Sequence, residues 1–486
     1  MENQQHHMVL LSSPGLGHLI PVIELAKRFV FQHNLKITIL ALTSTTSHAE
    51  KRVLDAAASG GHIDIVEIPT PDISSLIEPD AAVATRLCVM MREGVPGICH
   101  ALSNMADTAT VRPSTLIVDI FGTEALGVAE ELKMHKYVFV ASHAWFFSLV
   151  IHSPTLDKQV EGQYVDQKEL LQIPGCTPVR PEDVIDPMLN RNDKQYQEYL
   201  AIANGITKGD GVLVNTWECL QQKDLESLRN TNLLGGILNG PVFAVGPIVR
   251  ESDSKTDQGT EWVTHWLDDQ PQESVIYVSF GSGGTMSYEQ MTELAWGLEL
   301  SGQRFIWVLR APTVDAADAA FFTTGSDGGS KLSKYLPVGF LSRTCNVGVL
   351  VSEWAPQIDI LRHPSVGGFL SHCGWNSTLE SITNGVPMVA WPLYAEQRMN
   401  ATLLVEELGV AVRPKVLPTK KVVDRYEIAS MVREIMVVEE DYCNKEKKKN
   451  PIRERVKGIK GSAVEALSKG GSSCTALAQV VARTKE

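Results

Sequence analysis

The sequence has no Cys-x-x-C pair, no unbroken apolar run of the ~20 residues a membrane span needs and no excess of positive charge, and each absence removes a class of protein. Its eight cysteines (Cys88, Cys99, Cys176, Cys219, Cys345, Cys373, Cys443, Cys474) are scattered. They fit neither zinc-ligand spacing nor a dense disulfide framework, which points to a reducing compartment. The most apolar stretch, residues 138–151, is broken by Ser142, His143 and Ser148, so no stable membrane insertion is expected. Lys and Arg number 44 against 57 Asp and Glu, a net charge of -13 that repels polyanions; no nucleic-acid partner is expected. The one basic run, Lys445 with Lys447, Lys448 and Lys449, adjoins Glu439, Glu440 and Asp441 and reads as a solvated surface. The first apolar run breaks at Ser12-Ser13-Pro14-Gly15, unlike a secretory leader, and a cytoplasmic location is the expectation.

What is present has the balance of a packed protein, with 44% hydrophobic and 21% charged residues over 486 positions. That length exceeds one ordinary core and predicts two large lobes. Apolar or β-branched runs at 8–11, 36–41, 63–68, 115–118 and 137–140 are separated by helix-length segments. Runs at 275–280, 305–309, 348–351, 366–370 and 387–391 repeat the alternation, with a helix starting near Tyr288. Such alternation predicts parallel sheets covered by helices on both faces. The expected fold class is therefore α/β, two Rossmann-like lobes facing each other across a cleft, with ligands at the carboxyl ends of strands. Residues 251–259 have the polar composition of a linker, and 315–333, rich in Ala, Gly, Ser and Thr, predict a long surface loop. The expected domains are 1–250, a linker at 251–260, 261–465, and a C-terminal helix at 466–486 packing back on the first domain.

The densest chemistry lies between Trp354 and Gln397. Trp354-Ala355-Pro356-Gln357 is followed by His363-Pro364, by Ser371-His372-Cys373-Gly374-Trp375-Asn376-Ser377, by Glu380, and by Trp391-Pro392-Leu393-Tyr394-Ala395-Glu396-Gln397. A strand ending near Ser371 would deliver the chain through Gly374 into a helix whose first-turn amides and Ser377 hydroxyl can face a pyrophosphate. His372 adds a donor, Trp354 an aromatic face, and Glu380 an acceptor for ribose hydroxyls. Glu396 and Gln397 supply an acceptor and an amide for sugar hydroxyls. Taken singly, Trp354 and Trp375 would be core aromatics and Asn376-Ser377 a helix cap.

A second constellation is Ser13-Pro14-Gly15-Leu16-Gly17-His18, after the first strand. The full G-x-G-x-x-G is absent, which argues against a nicotinamide-dependent oxidoreductase. His18 reads either as a surface residue or as the base that takes a proton from an attacking hydroxyl. Asp119, in Val118-Asp119-Ile120-Phe121-Gly122-Thr123, ends another strand. If the two strands run parallel in one lobe, Asp119 could hold the His18 tautomer; alone, it would be a turn or cap residue.

The stretch from Trp354 to Gln397 resembles the donor box of plant secondary-product UDP-glycosyltransferases, glycosyltransferase family 1. Leu171-Gln172-Ile173-Pro174-Gly175-Cys176, Val214-Asn215-Thr216, Val245-Gly246-Pro247, Trp266-Leu267-Asp268 and Val278-Ser279-Phe280-Gly281-Ser282 look like its landmarks in order. The chain looks most like the branch that glucosylates hydroquinone and monolignols. The sequence itself does not give the oligomeric state, and a monomer is the expectation; the resemblance implies the GT-B architecture and a hexosyltransferase. It implies His18 and Asp119 as a catalytic dyad and Trp354 on uracil. It further implies Ser13, Ser282, Ala355, Gln357, His372, Gly374, Trp375, Asn376, Ser377, Glu380, Glu396 and Gln397 around the donor. Gln at the last box position favours UDP-glucose, a co-substrate, with no cofactor. No Asp-x-Asp occurs, and no metal is expected.

The acceptor is expected to be a small aromatic hydroxyl compound in a mostly apolar pocket, for which Ile120, Phe121, Trp145, Phe146 and Ile185 are candidates, with Ser142 near the sugar. Residues 140–145 read Val-Ala-Ser-His-Ala-Trp where the branch more often shows successive hydroxyl residues, so His143 and Trp145 would remodel that side. A non-catalytic UDP-sugar binding protein, a transferase using another UDP-hexose, or a sugar-nucleotide epimerase or hydrolase are the competing readings.

Overall fold

The computed structural model describes residues 6–43, 48–251, 261–312, 318, 332–352, 354–437 and 450–485. The expected linker at 251–260, loop at 315–333 and basic run at 445–449 lie outside these, apart from Glu251, Asp318, Leu332 and Ser333. By density of contacts the chain divides into two units, Met1–Val249 with Val464–Glu486, and Arg250–Ala463.

The first unit carries seven strands: β1 (His7–Ser12), β2 (Lys36–Thr43), β3 (Ile63–Pro69), β4 (Pro113–Asp119), β5 (His135–Val140), β6 (Gly211–Val214) and β7 (Val242–Ala244). They form one sheet in the order β3-β2-β1-β4-β5-β6-β7, every pairing parallel. Because side chains alternate faces along a strand, Met8 and Leu10 of β1, Ile37 and Ile39 of β2, Ile117 of β4 and Phe139 of β5 enter one core. The helix Leu16–His33 covers that face with Leu19, Val22, Ile23, Ala26 and Phe29. The helix Ser472–Arg483 adds Ala476, Leu477, Val480 and Val481 to the same core, and Ser473 Oγ donates to the carbonyl of Gly246 at 2.5 Å.

The second unit repeats the plan with β8 (Val275–Ser279), β9 (Arg304–Leu309), β10 (Gly348–Ser352), β11 (Val366–Ser371), β12 (Met388–Ala390) and β13 (Ala411–Val412). Their order is β10-β9-β8-β11-β12-β13, again parallel. Ile276, Val278, Trp307, Leu370 and Val389 pack against Leu294 and Leu298 of Tyr288–Ser301 and against Ile428, Val432 and Ile435 of Arg425–Met436. Strands β6, β7 and β13 have no counterpart among the sequence expectations. They are four, three and two residues long, too short for an apolar run to stand out.

In each unit the strand order reverses direction beside the first strand, between β1 and β4 and between β8 and β11. The loops leaving these pairs diverge to opposite faces of the sheet and open a crevice at the carboxyl edge, where doubly wound folds bind ligands.

Candidate active site

The register β1 to β4 aligns Leu11 with Val118, so Ser13, just beyond β1, and Asp119, the last residue of β4, meet at the edge of the sheet. Asp119 is 1% exposed and its carboxylate is held by backbone and side chain together. Oδ1 accepts from the amides of Phe121 and Gly122, both at 3.1 Å, which starts the short 3-10 helix Ile120–Ala125. Oδ2 accepts from the Ser13 amide at 2.8 Å and from the Ser13 hydroxyl.

Gly15, with φ of 104°, turns the chain from Pro14 into the helix Leu16–His33, and its carbonyl accepts from the amides of His18 and Leu19, both at 3.0 Å. His18 therefore sits on the first turn, its Nδ1 3.7 Å from Asp119 Oδ2. That is ion-pair distance, longer than a hydrogen bond, and Nδ1 is buried with no hydrogen-bond partner among the described residues. The His18 ring meets the edge of Phe121 at 5.1 Å. Buried Glu50 accepts from the Gly15 amide at 2.8 Å and braces this turn.

Of the acceptor candidates, Ile120 and Phe121 are half-buried beside this dyad. Ser142, Trp145, Phe146 and Ile185 are buried. Trp145 donates its indole N–H to the Thr177 carbonyl at 2.7 Å. His143 caps the helix Ala144–Gln159, Nδ1 accepting from Phe146 N at 3.1 Å. Gln221 joins that cap, its Oε1 accepting from Ala144 N at 2.9 Å.

In the second unit the register β8 to β11 aligns Ser279 with Ser371, which brings the turn at Gly281 against His372. The imidazole lies between two glycines. A Cβ on Gly281 would stand 2.4 Å from His372 Nε2, and one on Gly374 2.5 Å. Burial, with the Arg310 cation second, pushes the His372 imidazole down to about 3. The ring is thus neutral, with one N–H to donate. Arg310, just past β9, donates to the carbonyl of Ser282 and lines a recess with Gly281, Thr285 and Trp307.

The helix Trp375–Asn384 starts at Gly374 without a side-chain cap. Its first ladder bond runs from Thr378 N to the Gly374 carbonyl at 2.9 Å, so the amides of Trp375, Asn376 and Ser377 lie at the positive end of the helix. Gln357 Nε2 donates to Ser377 Oγ at 2.9 Å and to Glu380 Oε2 at 2.6 Å, which joins three of the sequence candidates. Trp354 is half-buried, Ala355 and Trp375 are buried, and Asn376 is half-buried.

Gln397 Oε1 accepts from the amides of Leu393 and Tyr394 at 2.9 and 3.1 Å. Two N–H donors fix the amide orientation and point its NH2 the other way. Half-buried Glu396 approaches Asn400, whose amide donates to the Cys373 carbonyl at 2.7 Å, tying this turn to the His372 segment. Glu50, Asn400 and Gln221 carry no sequence signal, being lone polar residues. Arg310 does carry one, as a charge directly after an apolar strand.

Among the described residues no group of three or more His, Cys, Asp and Glu is arranged to hold a metal ion, and no helix is long and apolar enough to cross a membrane. All seven described cysteines are free.

Two Rossmann-like units, one ending in a His–Asp pair and the other in a glycine-framed histidine above a helix N-terminus, define a sugar-nucleotide transferase of GT-B architecture. Residues 255–424 match the family described as UDP-glucoronosyl and UDP-glucosyl transferase. The chain is 56% identical to anthocyanidin 3-O-glucosyltransferase 5 of Manihot esculenta over 471 residues, 97% of this chain and 94% of the relative. It is 41% identical to hydroquinone glucosyltransferase of Rauvolfia serpentina over 479 residues, 98% of this chain and 97% of the relative. The solved structure of TcCGT1 in complex with UDP is similar with a TM-score of 0.88 at 45% identity, covering 99% of both chains. The chain belongs to the UDP-glycosyltransferase family and is a plant-type glycosyltransferase enzyme.

Proposed function

We propose that this enzyme transfers glucose from UDP-glucose to the hydroxyl of a small phenolic acceptor, with inversion, using His18 as general base oriented by Asp119. The observation that carries the reading is the first-turn imidazole of His18 with Nδ1 toward the buried Asp119 carboxylate. Nε2 is then the nitrogen for the acceptor. It removes the hydroxyl proton, the oxygen attacks the anomeric carbon, the bond from that carbon to the diphosphate oxygen breaks, and UDP leaves with the electron pair. Attack opposite the leaving group turns an α-linked donor into a β-glucoside. Asp119 stabilises the imidazolium that forms.

On the donor side, Trp354 stacks on uracil and Glu380 accepts from the ribose. Neutral His372, the Ser377 hydroxyl, the Ser282 segment and the amides at Gly374 to Ser377 receive the diphosphate charge. Glu396 accepts from, and the Gln397 NH2 donates to, sugar hydroxyls. The names of the glucosyltransferase relatives, acting on an anthocyanidin and on hydroquinone, support glucose and a phenolic acceptor. Ile120 and Phe121 are the acceptor-facing residues in this reading, while Trp145, Phe146 and Ile185 shape the pocket wall and Ser142 lies toward the sugar. The protein acts as a cytoplasmic monomer.

The test is acceptor-dependent UDP release with UDP-glucose and with UDP-galactose against phenols, coumarins and flavonoids, with mass and anomer analysis of products. A β-glucoside formed faster from UDP-glucose is expected. His18→Ala should lower turnover on weakly acidic hydroxyls at least 100-fold, the usual range for a general base, with UDP affinity nearly unchanged. Wild-type turnover in that variant would eliminate His18 as the base.

A further inference from the structure

Asp119 holds four donors before His18 is counted. Two backbone amides fill Oδ1, and the Ser13 amide and hydroxyl both reach Oδ2. Oδ2 is also the oxygen nearest His18 Nδ1, at 3.7 Å. The three amides are fixed by the ends of β1 and β4, whereas the hydroxyl is one rotatable O–H on a residue 1% exposed. A carboxylate oxygen that already accepts two hydrogen bonds is a weaker acceptor for a third, and weaker support for a neighbouring cation. We propose that Ser13 is a positioning residue of the His18–Asp119 pair, its hydroxyl competing with His18 for Oδ2 and so limiting how strongly Asp119 supports the protonated imidazole. This rests on the reading of His18 as base, and it assigns the Ser13 hydroxyl to the dyad rather than to the donor sugar nucleotide.

The charged and titratable groups around the pair are few. Glu50 of the helix His48–Ser59 accepts from the Gly15 amide. On the far side of Asp119, the helix Val83–Thr108 presents the Cys88 thiol, raised by burial out of the physiological range. It also presents Arg92, paired with Glu124 at 2.8 Å and with Glu198 at 2.5 Å. None of these donates to Oδ2, so removing the hydroxyl changes one interaction.

The measurement is the His18 imidazole titration, followed by NMR on histidine-labelled full-length protein and assigned with His18→Ala. It is made for wild type, Ser13→Ala and Ser13→Cys, alongside UDP-glucose affinity by calorimetry. Loss of the hydroxyl should move the His18 midpoint up by about half a unit to one unit, with UDP-glucose affinity within twofold. The poorer thiol donor should give a smaller upward shift and keeps the test available if Ser13→Ala fails to fold. An unmoved or lowered midpoint overturns the proposal, and an unmoved midpoint with a tenfold loss of UDP-glucose affinity returns Ser13 to the donor site. Turnover of His18→Ala is scored separately, so failure of the base assignment is distinguishable from failure of the Ser13 assignment.

Discussion

At the scale of single residues, the proposed donor site is built from side chains that already satisfy the backbone. Gln397 is the clearest case, because Oε1 is committed to the Leu393 and Tyr394 amides. Gln397→Glu keeps an acceptor for those amides and replaces the NH2 donor with a second, charged acceptor oxygen. It should retain the fold but lose a donor to the sugar, and kcat/KM for UDP-glucose should fall roughly 10- to 100-fold, the equivalent of a hydrogen bond left unmade in a buried site. Gln397→Ala should add a loss of thermal stability; equal stability in the two variants would show that the amide cap is unimportant. The glycines framing His372 give a matched pair. Gly374→Ala places a Cβ 2.5 Å from Nε2 at an ordinary φ of -56°. Gly281→Ala makes the same clash at a φ of 72°, adding about 1 kcal/mol of left-handed strain. Both should weaken UDP binding at least tenfold by calorimetry, and only the second should also lower the denaturant midpoint beyond the shared loss. Unaltered UDP affinity in both would mean that the ring is not held by this contact. The residue types of this site were legible in the sequence because spacing marked them. Their supports Glu50 and Asn400 were not, because a partner 27 or more positions away in the chain leaves no local pattern.

At the scale of elements, every strand of five or more residues was legible, whereas β6, β7 and β13, at four, three and two residues, were not. Strand boundaries shifted by one or two residues, as at 387–391, where only Met388–Ala390 is strand. The C-terminal helix was expected at 466–486 against the first domain, and the helix Ser472–Arg483 lays its apolar face on that core. In the structure Leu477 is 1% exposed and belongs to the β1–β7 core. Leu477→Ala should destabilise by 2–5 kcal/mol, the range for a buried Leu truncation. Hydrogen exchange should then rise in β1, β2 and β7 of the first unit. A change below about 1 kcal/mol would show that this helix is dispensable to that core.

At the scale of the whole molecule, the two units share one plan but also one weakness, buried imidazoles. Burial lowers His7 and His152 in the first unit, and lowers His33 with the Lys485 cation assisting. Burial and the Arg310 cation lower His372 in the second, to about 3. A group whose folded pKa lies below its unfolded value binds more protons when the chain is unfolded. Stability therefore rises with pH in that window and is lost as pH falls from about 6.5 toward the folded value, by at most about 1.4 kcal/mol per pH unit for each group. The paired carboxylates do not confound the upper part of this window. Glu293 is held down by its hydrogen bonds to Arg425. Asp157, although burial opposes it, is held down by its bonds from Tyr196 and Arg191. Their contributions are lost only below the ordinary carboxylate range of about 4. Urea unfolding of the ligand-free enzyme should accordingly show a steady loss of stability between pH 6.5 and 5, before any carboxylate titrates. His372→Asn should flatten that slope by close to one proton, and His7→Gln should flatten it further. A wild-type slope near zero over this interval, or an unchanged slope in His372→Asn, would mean that the imidazole between Gly281 and Gly374 is not held neutral by the fold.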